Sequence, residues 1–256
     1  MAIVYTALCQ SHAVIVKKLL PELKANKFAR EALIYEAKLV SQLDHPKIVR
    51  CVGLYWTPHG DLGLVYEPMG GTNLATFLHE YKQTLSWTSF TGEAPFRRPP
   101  KLRIALDLAE ALTLLHSYDP PIVHGKLSAE NVLLTSHSVA KIWNFQPVVD
   151  QNFNSFLEHV EQGITKPAGS TTCDIVAFGG LLVNLGAIDE DQAASTPKPG
   201  ARMERTNSSC RVKLAELCRC CLGGRNGDHP SALQVFAELN HLHKSLGVQS
   251  HIQLGK

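Results

Sequence analysis

The side chains able to do chemistry are concentrated in a few short stretches of this 256-residue chain. Val14-Ile15-Val16-Lys17 is an apolar, β-branched run closed by a cation. In a strand, Ile15 and Lys17 share one face, because successive side chains alternate. His124-Gly125-Lys126-Leu127-Ser128-Ala129-Glu130-Asn131 sets an imidazole, an amine, a carboxylate and an amide close together. A lysine with its ordinary pKa of ~10.4 is a cation at neutral pH and cannot accept a proton. Within Lys141-Ile142-Trp143-Asn144-Phe145-Gln146, Asn144 offers a carbonyl oxygen to a cation but no charge. Mg²⁺ that bridges phosphates favours carboxylates. Finally, Cys218, Cys220 and Cys221 follow Cys210. Their C-x-C-C spacing lacks the paired C-x-x-C knuckles of a zinc site. The surrounding VKLAELCRCCL reads as an amphipathic helix, so buried free thiols are expected.

The elements that must hold these groups follow from periodicity. Ala2–Leu8 and Ala13–Leu19 read as strands around the polar bend Cys9-Gln10-Ser11-His12. From Lys27 to Leu43 the apolar residues Phe28, Ala32, Tyr35, Leu39 and Leu43 fall at helical spacing. Asp44-His45-Pro46 stops that helix, since the residue before proline is driven from the α region. Strands are expected in Ile48–Trp56 and Leu62–Glu67, divided by a turn at Pro58-His59-Gly60-Asp61. Residues 84–100 read as an exposed excursion and Leu102–Leu115 as an amphipathic helix. Ile122–His124 and Asn131–Leu134 read as short strands. Ile175–Leu185 is apolar on nearly every side and predicts a helix buried all round. Residues 189–209 read as loop, with two closing helices after them. Strands with one helix, followed mostly by helices, make a two-lobed α+β pattern.

Bulk properties narrow the function classes. The net charge of +2 is too small to draw nucleic acid or a membrane surface. No apolar run approaches the roughly 20 residues that span a bilayer. The N-terminus lacks the layout of a signal peptide. Seven cysteines without disulfide-scaffold density predict reduced thiols and a cytoplasmic setting.

In order and spacing these motifs resemble the protein kinase superfamily, its tyrosine-kinase and tyrosine-kinase-like branch in particular. Val14–Lys17 resembles the V-A-I-K strand, whose lysine holds the α/β-phosphates. The resemblance implies that Glu36, on the inner side of the first helix, pairs with Lys17. EAKLVSQLDHPKIV, from Glu36, is similar to the same region of those kinases. YEPMGGTNLATFL resembles a hinge and the helix after it. Tyr66 would then be the gatekeeper, and the backbone of Glu67 and Met69 would face an adenine. IVHGKLSAENVLL resembles a catalytic loop, KIWNFQ a metal-binding loop, and DIVAFGGLL the buried helix of the large lobe. The implied fold is one α+β domain over residues 1–247. Its β-rich N-lobe (1–68) carries one helix, its C-lobe (69–247) is mostly helical, and a tail covers 248–256.

Several positions depart from the family pattern. H-R-D-L-x-x-x-N has Lys126 at its aspartate and Gly125 at its arginine, with Asn131 kept. In many kinases that arginine receives an activation-loop phosphate. Up to Gln162, the segment after Asn144 offers Ser155 but no threonine or tyrosine. D-F-G reads Asn144-Phe145-Gln146, and Gln146 removes backbone freedom at the bend. Val160-Glu161-Gln162 stands where A-P-E would, and Asp228-His229-Pro230 where its arginine partner would. There His229 would pair with Glu161 only when protonated. The glycine-rich loop would lie just ahead of Val4, where Met1-Ala2-Ile3 stand, with Ala2 at the third glycine's place. Either the chain is a fragment, or the small lobe lacks this loop and the first strand; in the second case an exposed strand edge is expected at Ala2–Leu8.

These departures imply a pseudokinase, a protein-interaction or allosteric signalling module rather than a phosphotransferase. Its expected partners are other signalling proteins, an active kinase among them, with no nucleic acid and no membrane segment. No cofactor is required. ATP is expected to bind weakly or not at all, with Lys17, Glu36, Tyr66, Glu67, Met69 and Asn131 as the candidate contacts. Mg²⁺ is not expected to be held by the residual ligands Asn131 and Asn144. The alternative is a divergent active kinase transferring the ATP γ-phosphate to Ser, Thr or Tyr, with Glu130 or Asp150 as its carboxylate.

Overall fold

Two residues in left-handed conformation turn the first apolar runs into a hairpin. In the computed structural model, β1 (Ala2–Cys9) and β2 (His12–Leu19) pair antiparallel from Ala2 opposite Leu19 to Cys9 opposite His12. Gln10 (φ 48°) and Ser11 (φ 67°) form the turn. Such a two-residue turn carries the twist of the flanking strands. The structure describes residues 2–57, 61–89, 99–145, 170–188, 208–223 and 228–252, with backbone alone for 208–209 and 247–252.

Helix α1 (Lys27–Val40) starts where the Asn26 side chain accepts the Ala29 N–H at 3.0 Å. An Asn at this position satisfies one of the orphan donors of the first turn. The helix stops three residues short of the expected Leu43. Gln42 and Leu43 donate to Leu39 and Val40, bonds of the tighter i→i+3 type, ahead of Pro46. β3 (Cys51–Trp56) and β4 (Leu62–Tyr66) complete a sheet of order β1-β2-β4-β3. Residues 58–60 of the expected turn between them lie outside the described residues. Lys17 stands opposite Leu64, and Ile15 opposite Tyr66. Lys17, Leu64 and Tyr66 therefore share the face against which α1 packs.

A second sheet, β5 (Thr72–Asn73), β6 (Val132–Leu134) and β7 (Ala140–Ile142), begins the larger lobe. Gly71 enters it so closely that a Cβ there would lie 1.5 Å from the Leu134 carbonyl oxygen. Only glycine permits that approach. The helices are α2 (Leu74–Tyr81), α3 (Lys101–Ser117), α4 (Thr171–Asn184), α5 (Ser208–Cys221) and α6 (Ala232–Ile252). Ile104, Leu108, Leu112 and Leu115 of α3 are buried with Ile175, Phe178 and Leu182 of α4 and with Val235 and Leu239 of α6. In α5, Cys218 and Cys221 are buried and Cys220 is exposed.

Three further expectations need correction. Ile122–His124 is not a strand. Ile122 donates its N–H to Leu115 at 2.9 Å and His124 to the Asp174 carboxylate at 2.8 Å, so no ladder forms. The excursion at 84–100 is anchored rather than exposed at both ends: Leu85, Pro99 and Pro100 are buried. The carbonyls of Ser86 and Trp87 accept the Lys101 and Leu102 N–H groups that open α3, at 2.9 and 3.2 Å. Residues 90–98 lie outside the described residues. Helix α4 is not covered on all sides, since Val176 is 38% exposed.

The loop after α1 joins the lobes. Ile142 donates to Lys47 at 2.9 Å and accepts from Val49 at 3.0 Å. The Lys47 ammonium meets Asp107 of α3 at 2.7 Å, with both side chains buried. The domain is α+β, and one apolar core runs from Leu33 of α1 to Leu239 of α6.

Candidate functional site

Strand β2 and helix α1 bring Lys17 and Glu36 into a buried ion pair. Burial lowers the pKa of Lys17, the Glu36 charge opposes that shift, and the Lys126 charge adds to it. Tyr66, the last residue of β4, donates its phenol proton to Glu36 Oε1 at 2.8 Å. Burial first, then the Glu36 charge, holds that phenol well above its usual pKa. Lys18 is on the other face, its ammonium 5.3 Å from the Tyr5 ring centroid.

Asn131 and Asn144, the residues the resemblance sets at metal-ligand positions, face each other. Asn144 has a φ of 65°, a left-handed conformation that asparagine tolerates. Its Oδ1 accepts from Lys17 Nζ, and its Nδ2 donates to Asn131 Oδ1 at 2.7 Å. Asn131 Nδ2 donates in turn to the Lys126 carbonyl at 2.7 Å. A continuous polar chain thus links Glu36, Lys17, Asn144, Asn131 and the 126 main chain. The amide oxygens that would coordinate a cation are already accepting hydrogen bonds. Among the described residues, no three or more His, Cys, Asp or Glu side chains are grouped to hold a metal ion.

Asp174, in the first turn of α4, organises the loop that carries Lys126. Its carboxylate accepts the His124 N–H at 2.8 Å, the Gly125 N–H at 3.1 Å and His116 Nε2 at 3.1 Å. Gly125 has a φ of 72°, so the residue at the family's arginine position sits where glycine is unstrained. His124 is fully buried. Its Nδ1 accepts the Lys126 N–H at 3.1 Å, which leaves Nε2 to donate to the Trp143 carbonyl at 3.0 Å. Burial lowers its pKa to about 4, against the nearby Asp174 charge. Phe145 packs on the imidazole at 4.7 Å between ring centres.

The cleft between these groups is an open cavity of about 740 Å³, counting the space that merges with solvent. Lys17, Glu36, Lys126 and Asn144 are its charged and amide walls, and Ala29, Ala32 and Leu33 of α1 its apolar one. Tyr66, Glu67, Met69 and Asn131 are not among the described residues that line it. Glu67 is occupied elsewhere: its carboxylate takes the Lys141 ammonium at 2.6 Å and the Arg50 N–H at 3.0 Å. Met69 packs half-buried against the core. Trp143 meets the Tyr66 ring edge-on, 6.1 Å away and at 85°. Glu130 is exposed and absent from the described lining. Gln146, Asp150, Ser155 and Glu161 lie outside the described residues.

Asp174 opens the DIVAFGGLL stretch, Trp143 lies in KIWNFQ and Lys47 in EAKLVSQLDHPKIV, but the motifs assign no role to them or to Asp107. A legible signal existed for Asp174: a carboxylate inside an apolar helix must find donors when buried. Trp143 and Lys47 carry no such local sign.

A profile of the protein tyrosine and serine/threonine kinase family matches residues 2–154. This chain belongs to that family. It is 31% identical over 211 residues to the probable serine/threonine-protein kinase pats1 of Dictyostelium discoideum, covering 72% of this chain and 6% of that protein. It is 29% identical over 170 residues to the serine/threonine-protein kinase TNNI3K of Mus musculus, covering 65% and 18%. It is 38% identical over 137 residues to the probable serine/threonine-protein kinase PBL28 of Arabidopsis thaliana, covering 52% and 33%. The chain spans no more than a third of the length of these relatives.

Proposed function

We propose that this kinase-family domain is a pseudokinase, a protein-interaction or allosteric signalling module that does not transfer phosphate. The observation that carries the reading is Lys126. It lines the cleft at the position where the family places the carboxylate that accepts the substrate proton. The Asn144–Asn131 hydrogen bond supports it, because it uses the amide oxygen of one remaining metal position. Phosphoryl transfer depends almost entirely on positioning and charge stabilisation, and each such group contributes orders of magnitude in rate. ATP is not required for this role. The partners that suit it are signalling proteins, an active kinase among them.

The test is transfer of radiolabelled phosphate from ATP to the chain itself and to generic protein substrates, with Mg²⁺ and with Mn²⁺. The expected result is no incorporation above the level of a Lys17→Ala control. Incorporation that disappears in Lys17→Ala overturns the reading and makes the domain a divergent kinase.

A further inference from the structure

Three lysines are buried among the described residues. Lys17 is paired with Glu36 and Lys47 with Asp107. Lys101, the first residue of α3, is the exception. It is 8% exposed, yet among the described residues no carboxylate and no hydrogen-bond acceptor meets its ammonium. The ammonium lies instead beside the Trp87 indole, 5.8 Å from the ring centroid. A buried charge without a counter-charge is costly. An unsatisfied buried group of this kind in a native fold points to an ion or ligand as the missing partner.

The surroundings add positive charge rather than removing it. Burial first, then the charges of Lys82 and Arg211, lowers the pKa of Lys101. Lys82 is the C-cap of α2, and Arg211 lies in the first turn of α5. Cations from the end of α2 and the starts of α3 and α5 therefore act on one place. The end of α4 leaves that place open. Gly186 turns there with a φ of 83°, and a Cβ on it would stand 3.7 Å from Lys101 Nζ. Being glycine, it puts no side chain over the ammonium. The negative end of the α4 dipole offsets part of one charge, but it does not balance three cations. None of these residues lines the cavity of the cleft.

We propose that Lys101, Lys82 and Arg211 form an anion site on the helical lobe, outside the cleft, that takes a phosphate group. A phosphate monoester carries close to two negative charges at neutral pH and three acceptor oxygens. It can therefore accept from all three cations, where one carboxylate would answer only one of the charges. Such charge-assisted bonds are the stronger class of hydrogen bond. The assignment does not depend on whether the cleft transfers phosphate. Within the chain the rival anion is Asp189-Glu190-Asp191, which follows Ile188 and lies outside the described residues.

NMR titration of the full ¹⁵N-labelled chain tests the proposal, read at the Trp87 indole N–H and the Gly186 amide. The probes are inorganic phosphate, a phosphoserine peptide and its unphosphorylated twin. Saturable shifts are expected with the two phosphate-bearing probes and not with the twin. Lys101→Met is expected to weaken binding roughly tenfold or more, the loss of about one charge-assisted bond. Peptide binding roughly tenfold tighter than phosphate assigns the site to a phosphorylated protein segment, and equal affinity assigns it to free phosphate. No saturable shift, equal shifts from the twin, or unchanged affinity in Lys101→Met overturns the proposal. So does binding that appears only in the Asp189→Asn, Glu190→Gln, Asp191→Asn triple variant, because the ammonium is then paired within the chain. If Lys101→Met gives no cooperative melt, Lys82→Gln and Arg211→Gln replace it, and unchanged affinity in both overturns the site.

Discussion

Tyr66 and Glu36 tie β4 to α1 through a buried 2.8 Å hydrogen bond from phenol to carboxylate. Glu36 also takes Lys17 of β2, so two strands hold α1 inward. Tyr66→Phe keeps the ring and removes the donor, leaving one carboxylate oxygen unpaired in a buried site. The expected cost is roughly 1–3 kcal/mol, the penalty of an unsatisfied buried polar group. Urea unfolding of the variant, with its m-value unchanged, measures it.

The lobes are joined by a second buried pair. Lys47 reaches Asp107 at 2.7 Å, and Asp107 also accepts the Ala140 N–H at 3.0 Å and Arg103 Nε at 3.2 Å. Removing one member of a buried pair strands the other charge, which costs about 3–5 kcal/mol. Arg103 remains beside Asp107, so Lys47→Met is expected near the lower bound, at about 3 kcal/mol. Hydrogen exchange adds a specific readout: the Val49 and Ile142 amides, which pair across the same seam, should lose protection together.

Stability should fall with acid through His124. Its pKa is about 4 in the fold, where burial penalises the charged ring. In the unfolded chain it protonates near ~6.5. Protons therefore bind the unfolded state first. The residue contributes no pH dependence above ~6.5, and stability declines from there towards pH ~4, by up to roughly 3 kcal/mol. Thermal melts between pH 7 and pH 4 should show that slope, and His124→Gln should lower it by about one proton.

Asn144→Asp tests the expectation that the unsubstituted chain does not hold Mg²⁺. The substitution supplies a carboxylate beside Lys17 but loses the Nδ2 donor to Asn131 Oδ1, a bond of 2.7 Å. The freed Asn131 oxygen and the new carboxylate form a pair of hard oxygen ligands. Millimolar Mg²⁺ should raise the melting temperature of the variant and leave the unsubstituted chain unmoved. A Mg²⁺ shift in the unsubstituted chain would sink the account of two self-satisfied amides.

The hairpin at Gln10-Ser11, α1, α3 and α4 were all legible along the chain, since alternation, helical spacing and turn chemistry are local properties. So were the substitutions at Gly125, Lys126 and Asn144, which are identities at spaced positions and need no coordinates. Ile122–His124 misleads because its composition is strand-like while its N–H groups are taken by a helix end and a carboxylate far along the chain. The tertiary structure alone placed Trp143 against Tyr66, Lys47 against Asp107 and Asn144 between Lys17 and Asn131. These are meetings of residues distant in sequence, fixed by how the lobes pack and where each buried polar group finds a partner. Residue types at 17, 36, 126 and 144 thus marked where the sequence keeps the family pattern and where it departs from it. The fold decided which of their donors and acceptors pair with one another.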